Sequence, residues 1–177
     1  MIEFARLRQP PKNSITGRMD GVATGEPWFP GRLHHEIPPW VITGAFFHIR
    51  LRIARSAVVR LTEVSVAVPL LCAAADYHQR QLWYGHLLLL MPDHLHALLA
   101  FPRHEAMSEV VRRFKRAAAR CQGIAWQDGY FDHRIRTPAE LEKTADYIRR
   151  NPVAKGLCAR LEDWRWVWSA GQVVLPW

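Results

Sequence analysis

Residues 82–101, LWYGHLLLLMPDHLHALLAF, form two apolar runs, 82–91 and 94–101, separated by Pro92 and Asp93. Pro-Asp is a turn dipeptide, and two runs of strand length joined across it predict an antiparallel hairpin. Strands this apolar are built for a core, yet the second one carries His94 and His96 with a single leucine between them. In a strand, alternate residues share a face, so the two imidazoles lie side by side while Leu95 points the other way. That is a bidentate arrangement for a metal ion. Without a metal, each buried ring needs a polar partner.

Around the hairpin, strand-like and helix-like segments alternate. AFFHIRLRI (45–53) predicts a first strand, with Phe47, Ile49, Leu51 and Ile53 on one face and His48, Arg50 and Arg52 lined up on the other. RLTEVSVAVPLLCAAADYHQR (60–80) predicts a helix capped by Thr62, in which Pro69 marks a kink or a late start. MSEVVRRFKRAAARCQG (107–123) predicts a basic amphipathic helix with Ser108 as N-cap. Its apolar face is Val110, Val111, Phe114 and Ala118, and Arg112, Arg113, Lys115, Arg116 and Arg120 surround it. YFDHRIR (130–136) reads as a polar-alternating strand. TPAELEKTADYIRRNP (137–152) has Thr137 as cap, Pro138 at N1 and Glu140 completing a capping box, and Asn151-Pro152 is its expected end. In DWRWVWSA, Trp164, Trp166 and Trp168 share one face of a short strand or packed extended segment.

In order, these elements give β-α-β-β-α-β-α, an α+β, ferredoxin-like antiparallel sheet with helices on one face. The domain is expected over 41–177. Residues 1–40, rich in Pro and Gly without a sustained period, predict an extended N-terminal arm held by Trp28, Phe29 and Trp40, or else a disordered tail.

The chain of 177 residues is about one domain long. Its three cysteines, Cys72, Cys121 and Cys158, are odd in number and widely spaced, which argues against a disulfide framework and for a reducing cytoplasm. Neither a secretory leader nor a membrane span is legible. Lys and Arg number 24 against 16 Asp and Glu, for a net charge of +8, and most of the basic residues are arginines. Such an excess of guanidinium suits a polyanion, while a solvated basic surface is the plainer alternative.

The last predicted helix adds a second constellation. Tyr147 and Asn151 lie four residues apart, one turn from each other on one helical face. An amide oxygen is an acceptable hard ligand for Mg²⁺ or Mn²⁺, and a phenol on the neighbouring turn can attack a phosphorus centre oriented by that ion. Taken alone, Tyr147 is also readable as a core-edge aromatic and Asn151 as a helix-ending residue.

MPDHLHALLAF resembles the HUH motif, His, a large apolar residue, His, as it follows Met-Pro-Asn/Asp in the single-tyrosine HUH transposases. YFDHRIR, YIRRNPVAKGL and WRWVWSA are similar to the C-terminal signature of their REP-associated branch, the RAYT proteins. The matching positions are Tyr147, Ile148, Asn151, Pro152, Val153, Gly156 and Leu157, then Trp166, Trp168 and Ser169. The likeness runs in order from about residue 40 to 170 and leaves only the arm before about residue 32 outside it. Asp93 stands where many members carry Asn.

The resemblance implies a metal-dependent single-stranded DNA endonuclease and strand transferase acting on hairpin-forming, REP-like bacterial DNA. It implies that His94, His96 and Asn151 hold a divalent cation, Mg²⁺ or Mn²⁺. Tyr147 attacks the scissile phosphate, giving a 5′-phosphotyrosine link and a free 3′-OH. Arg50, Arg52, Arg112, Arg113, Lys115, Arg116, Arg134 and Arg136 are the candidates for DNA contact, the expected unit is a monomer with a dimer as alternative, and Tyr84 and Tyr130 are rival tyrosines. Two other readings stay open at this point: a non-catalytic DNA-binding protein that occupies palindromic repeats, and a structural zinc protein.

Overall fold

A computed structural model describes residues 45–171, so the arm expected over 1–40 lies outside the described residues. The elements are β1 (Phe46–Arg52), α1 (Val64–Gln79), β2 (Tyr84–Leu90), β3 (His94–Ala100), α2 (Met107–Gln122), β4 (Phe131–Arg134), α3 (Pro138–Ala154), a 3₁₀ turn at Leu161–Asp163 and β5 (Val167–Ser169). All strand pairings are antiparallel, in the order β4-β1-β3-β2-β5. The first four strands give the ferredoxin-like arrangement expected from the element order. The tryptophan-rich tail adds β5 beside β2.

The hairpin forms as its turn chemistry predicts, with β2 and β3 in the middle of the sheet. Helices on one face were the expectation, and α1 and α2 do share a face. There Ile49, Leu51, Leu88, Leu90, Leu95, Ala97 and Leu99 pack with Leu70, Leu71 and Phe114. The third helix corrects the rest of the expectation: α3 sits on the opposite face, where Ala145 and Ile148 pack with Leu87, Leu89, Met91 and Leu98. The physical reason is in β2 and β3, which are apolar at both alternations, so neither face of the central sheet can be left to water.

The helix ends depart from the sequence reading in instructive ways. α1 has Glu63, not Thr62, at its cap and runs through Pro69, which leaves the Ser65 carbonyl without its i→i−4 donor. α2 is capped by Ala106, with Ser108 inside the first turn. Met107, 1% exposed, is drawn into the helix, and packing outweighs the side-chain cap.

At the start of α3, Thr137 Oγ1 accepts from the Glu140 N–H at 3.1 Å, as expected. The Glu140 carboxylate reaches one residue further back than a capping box requires, accepting from the Arg136 N–H at 2.7 Å. Nor does Asn151-Pro152 end the helix, because Pro152 is inside it. The stop is a Schellman turn in which Gly156, at φ +66°, supplies the left-handed residue. Its N–H bonds Val153 O at 2.9 Å, and the Leu157 N–H bonds Pro152 O at 2.9 Å.

β5 closes one end of the core. Trp166 and Trp168 are buried, and the Trp164 indole N–H donates to Leu90 O at 3.0 Å. A Cβ on Gly85 would stand 2.6 Å from Trp168 Cζ3, so the indole requires glycine beneath it. No helix among the described residues is long and apolar enough to cross a membrane.

Candidate active site

β1 and β3 build the floor of the site by register. Arg50 pairs with His96 and Arg52 with His94 across the ladder, while His48 faces Leu98 and is therefore diagonal to His96. All five polar residues project to the face that α3 covers. His94 and His96 are 8% and 2% exposed, His48 is 9% exposed, and each imidazole has a partner. Asp93 Oδ1 is 2.6 Å from His94 Nδ1, His94 Nε2 is 3.1 Å from His96 Nε2, and His96 Nδ1 is 2.9 Å from His48 Nε2. The four residues form one hydrogen-bonded row running from the turn into β1.

Burial dominates their protonation. It lowers His96 to about 3, helped by the adjacent imidazoles and arginines, and lowers His48 to about 4, helped by Arg50 and His133. His94 is also lowered by burial, against the pull of Asp93. Burial raises the Asp93 carboxyl, but its hydrogen bond to His94 and the charges of His94 and Arg52 outweigh that and leave it below the ordinary range. At neutral pH the row is one carboxylate and three neutral rings, so His94 and His96 can each turn a ring lone pair to a cation without first losing a charge.

Tyr147 lies over this row. Its ring centroid is 6.2 Å from that of His96 and 6.5 Å from that of His48, and the residue is 55% exposed, so the phenol is open to a substrate. One turn on, Asn151 is buried, and its amide N–H donates to Tyr147 O at 2.8 Å. That bond ties the Asn151 amide nitrogen to its own helix and leaves Oδ1 as the end of the amide turned away from it. Two neutral imidazole nitrogens stand 3.1 Å apart, about the spacing of adjacent ligands bonded to one ion at ~2.1 Å, and the Asn151 amide oxygen on α3 is of the hard-donor type such an ion takes. Among the described residues no group of three or more His, Cys, Asp or Glu side chains is arranged to hold a metal ion by itself.

No protein-family model matches the chain. A Haemophilus influenzae protein described as a REP-associated tyrosine transposase is 28% identical over 95 residues, which are 44% of this chain and 53% of that protein. The chain thus spans about half the length of this curated relative. Among solved structures, a REP-associated tyrosine transposase bound to a REP hairpin superposes with a TM-score of 0.61 at 22% identity, covering 75% of this chain and 81% of that one. The chain is similar to proteins described as REP-associated tyrosine transposases. Its five-stranded α+β fold matches that structure's, with His94 and His96 on β3, Tyr147, Ile148, Asn151, Pro152 and Val153 on α3, and Gly156 and Leu157 in the turn after it.

The basic residues divide between two faces. Arg52 reaches Asp93 at 3.4 Å and Arg50 stacks over the Phe131 ring at 5.3 Å, so both flank the histidines. Arg134 and Arg136 lie at the end of β4 and just beyond it, on the way to α3. Arg112, Arg113, Lys115 and Arg116 ride on α2, which packs on the sheet face away from the histidines. Arg112 pairs with Glu109 and Arg113 with Glu105, and Lys115 Nζ donates to Gln127 O and Gly129 O, both at 2.8 Å. Lys115 therefore anchors the loop before β4.

The rival tyrosines are placed differently from Tyr147. Tyr130 is half-buried against the α1/α2 core, and burial pushes its phenol above the ordinary value, the wrong direction for a nucleophile. Tyr84 packs on Phe46 and His78. His48 is the residue that sequence reasoning left out of the site. Its only sequence signal was being the one imidazole on the polar face of β1, and the strand register that brings it to His96 joins residues 48 positions apart.

Proposed function

We propose that this protein nicks and rejoins single-stranded DNA at hairpin-forming, REP-like sequences through a 5′-phosphotyrosine intermediate. The observation that carries the reading is the convergence of His94 Nε2 and His96 Nε2, 3.1 Å apart, beneath the exposed ring of Tyr147. His94, His96 and the Asn151 amide oxygen are the residues that would hold Mg²⁺ or Mn²⁺. A divalent ion bound there polarises a phosphate oxygen and stabilises charge that develops as the phosphorus is attacked.

The chain's own residues supply the rest. Asp93 fixes the ring of His94 by accepting its Nδ1 proton. Arg50 and Arg52, on the rim beside the imidazoles, take backbone phosphates, and Arg134 and Arg136 extend that contact along β4. The basic row of α2, with Arg112, Arg113, Lys115 and Arg116, is a second, separate surface for the hairpin stem. The Tyr147 oxygen bonds to phosphorus, the 3′-oxygen of the preceding nucleotide leaves, and the phenolic proton ends on that 3′-OH. The phosphodiester energy is kept in the tyrosine ester, so attack by another 3′-OH reseals DNA and releases the phenol without ATP. One chain holds every group named, which favours a monomer as the working unit, and the free cysteines suit a reducing cytoplasm.

An end-labelled single-stranded hairpin incubated with the protein and Mn²⁺ or Mg²⁺ should yield a denaturation-resistant protein-DNA adduct that chelator abolishes. Binding without an adduct, across several hairpins and both metals, would leave a DNA-binding protein that occupies such repeats.

A further inference from the structure

We infer that His48 is a positioning residue for His96, and that it lets His96 change tautomer when a cation arrives. This rests on the metal reading above. Asp93, as a carboxylate, can only accept, so the 2.6 Å contact fixes the proton of His94 on Nδ1 and makes its Nε2 a lone pair. The 3.1 Å contact between the two Nε2 atoms then requires the proton of His96 on Nε2. It follows that the 2.9 Å contact to His96 Nδ1 requires the proton of His48 on Nε2. All three rings are satisfied in one direction along the row.

A cation needs lone pairs on both Nε2 atoms. His96 must then carry its proton on Nδ1, where among the described residues His48 Nε2 stands ready to accept it, and His48 must carry its own proton on Nδ1. Three ring protons are present before and three after, so none is gained or released. His96 is 2% exposed, which leaves no room for water to replace His48, and an unpartnered buried N–H would oppose the tautomer that binds. Phe131, at 5.7 Å between centroids, and Tyr147 pack edge-on against the His48 ring and hold it in place. His94 is thus oriented by a carboxylate and His96 by a neutral imidazole that can serve as donor or acceptor.

Titration calorimetry of the full chain with Mn²⁺ tests this. His48→Phe should lower Mn²⁺ affinity by about 10–100-fold, the usual effect of losing the partner of a ligating histidine. His48→Gln, whose amide oxygen can accept from His96 Nδ1, should stay within about threefold of wild type. The wild-type binding enthalpy at neutral pH should be the same in buffers of different ionisation heat. An unchanged affinity in His48→Phe overturns the inference while leaving the metal site standing, whereas a wild type that binds no Mn²⁺ overturns both. Should the phenylalanine variant not fold, ¹⁵N-imidazole spectra of the wild type decide. Mg²⁺ should move the His96 proton from Nε2 to Nδ1, and tautomers unchanged on loading would overturn the relay.

Discussion

Tyr147→Phe should bind hairpin DNA like the wild type and form no covalent adduct, with nicking reduced by about 10⁴-fold or more. The substitution removes one oxygen and keeps the ring. Tyr147 is 55% exposed, so no buried hydrogen bond of the hydroxyl holds the fold, and its edge contacts with His48 and His96 survive in phenylalanine. Binding and folding are therefore expected to be unaffected while the nucleophile is gone. Tyr130→Phe and Tyr84→Phe serve as matched controls and should keep the adduct. If Tyr147→Phe still forms an adduct and one of the controls loses it, the nucleophile has been assigned to the wrong helix.

Lowering the pH should destabilise the domain steeply, and the loss should come from the same row of imidazoles. His48 and His96 are held at about 4 and about 3 by burial, against 6.5 for the ordinary side chain. Between those values the unfolded chain binds protons that the folded chain refuses, so stability is complete above about pH 6.5 and declines as the pH falls toward 4 and then 3. Below that both states are protonated and the slope flattens. One pKa unit is worth about 1.4 kcal/mol, so the two neighbouring rings lose on the order of 5 kcal/mol between about pH 6.5 and about pH 4.5, comparable with the whole stability of many domains. Urea midpoints at pH 7.5 and 4.5 check it. Equal midpoints would mean that His48 and His96 are solvated or charged in the fold, against the dry, neutral row described above.

Much of the architecture was legible because the residues that decide it are local. Pro92-Asp93 between two apolar runs specifies the hairpin, Thr137-Pro138 with Glu140 marks the start of α3, and the His-Leu-His alternation puts two imidazoles on one face. What escaped the sequence reading depends on contacts distant in the chain or on competition between neighbouring signals. Pro152 looks like a stop, yet the Schellman turn at Gly156 is the stronger one and carries the helix two residues further. Ser108 looks like a cap, but burial of Met107 sets the first turn. The opposed placement of α2 and α3 follows from leucines at both alternations of β2, and it separates the α2 arginines from the histidines, which the linear order of basic residues does not reveal. His48 joins the site only through the β1-β3 register.

The central claim is spatial: one cation position, bounded by β3 and α3, lies beneath Tyr147. Crystals soaked in Mn²⁺ and measured at its absorption edge test it most directly. A single anomalous peak within bonding distance of His94 Nε2, His96 Nε2 and Asn151 Oδ1, facing the Tyr147 hydroxyl, is the predicted result. A peak that engages the imidazoles without Asn151, or no peak at saturating Mn²⁺, would contradict it.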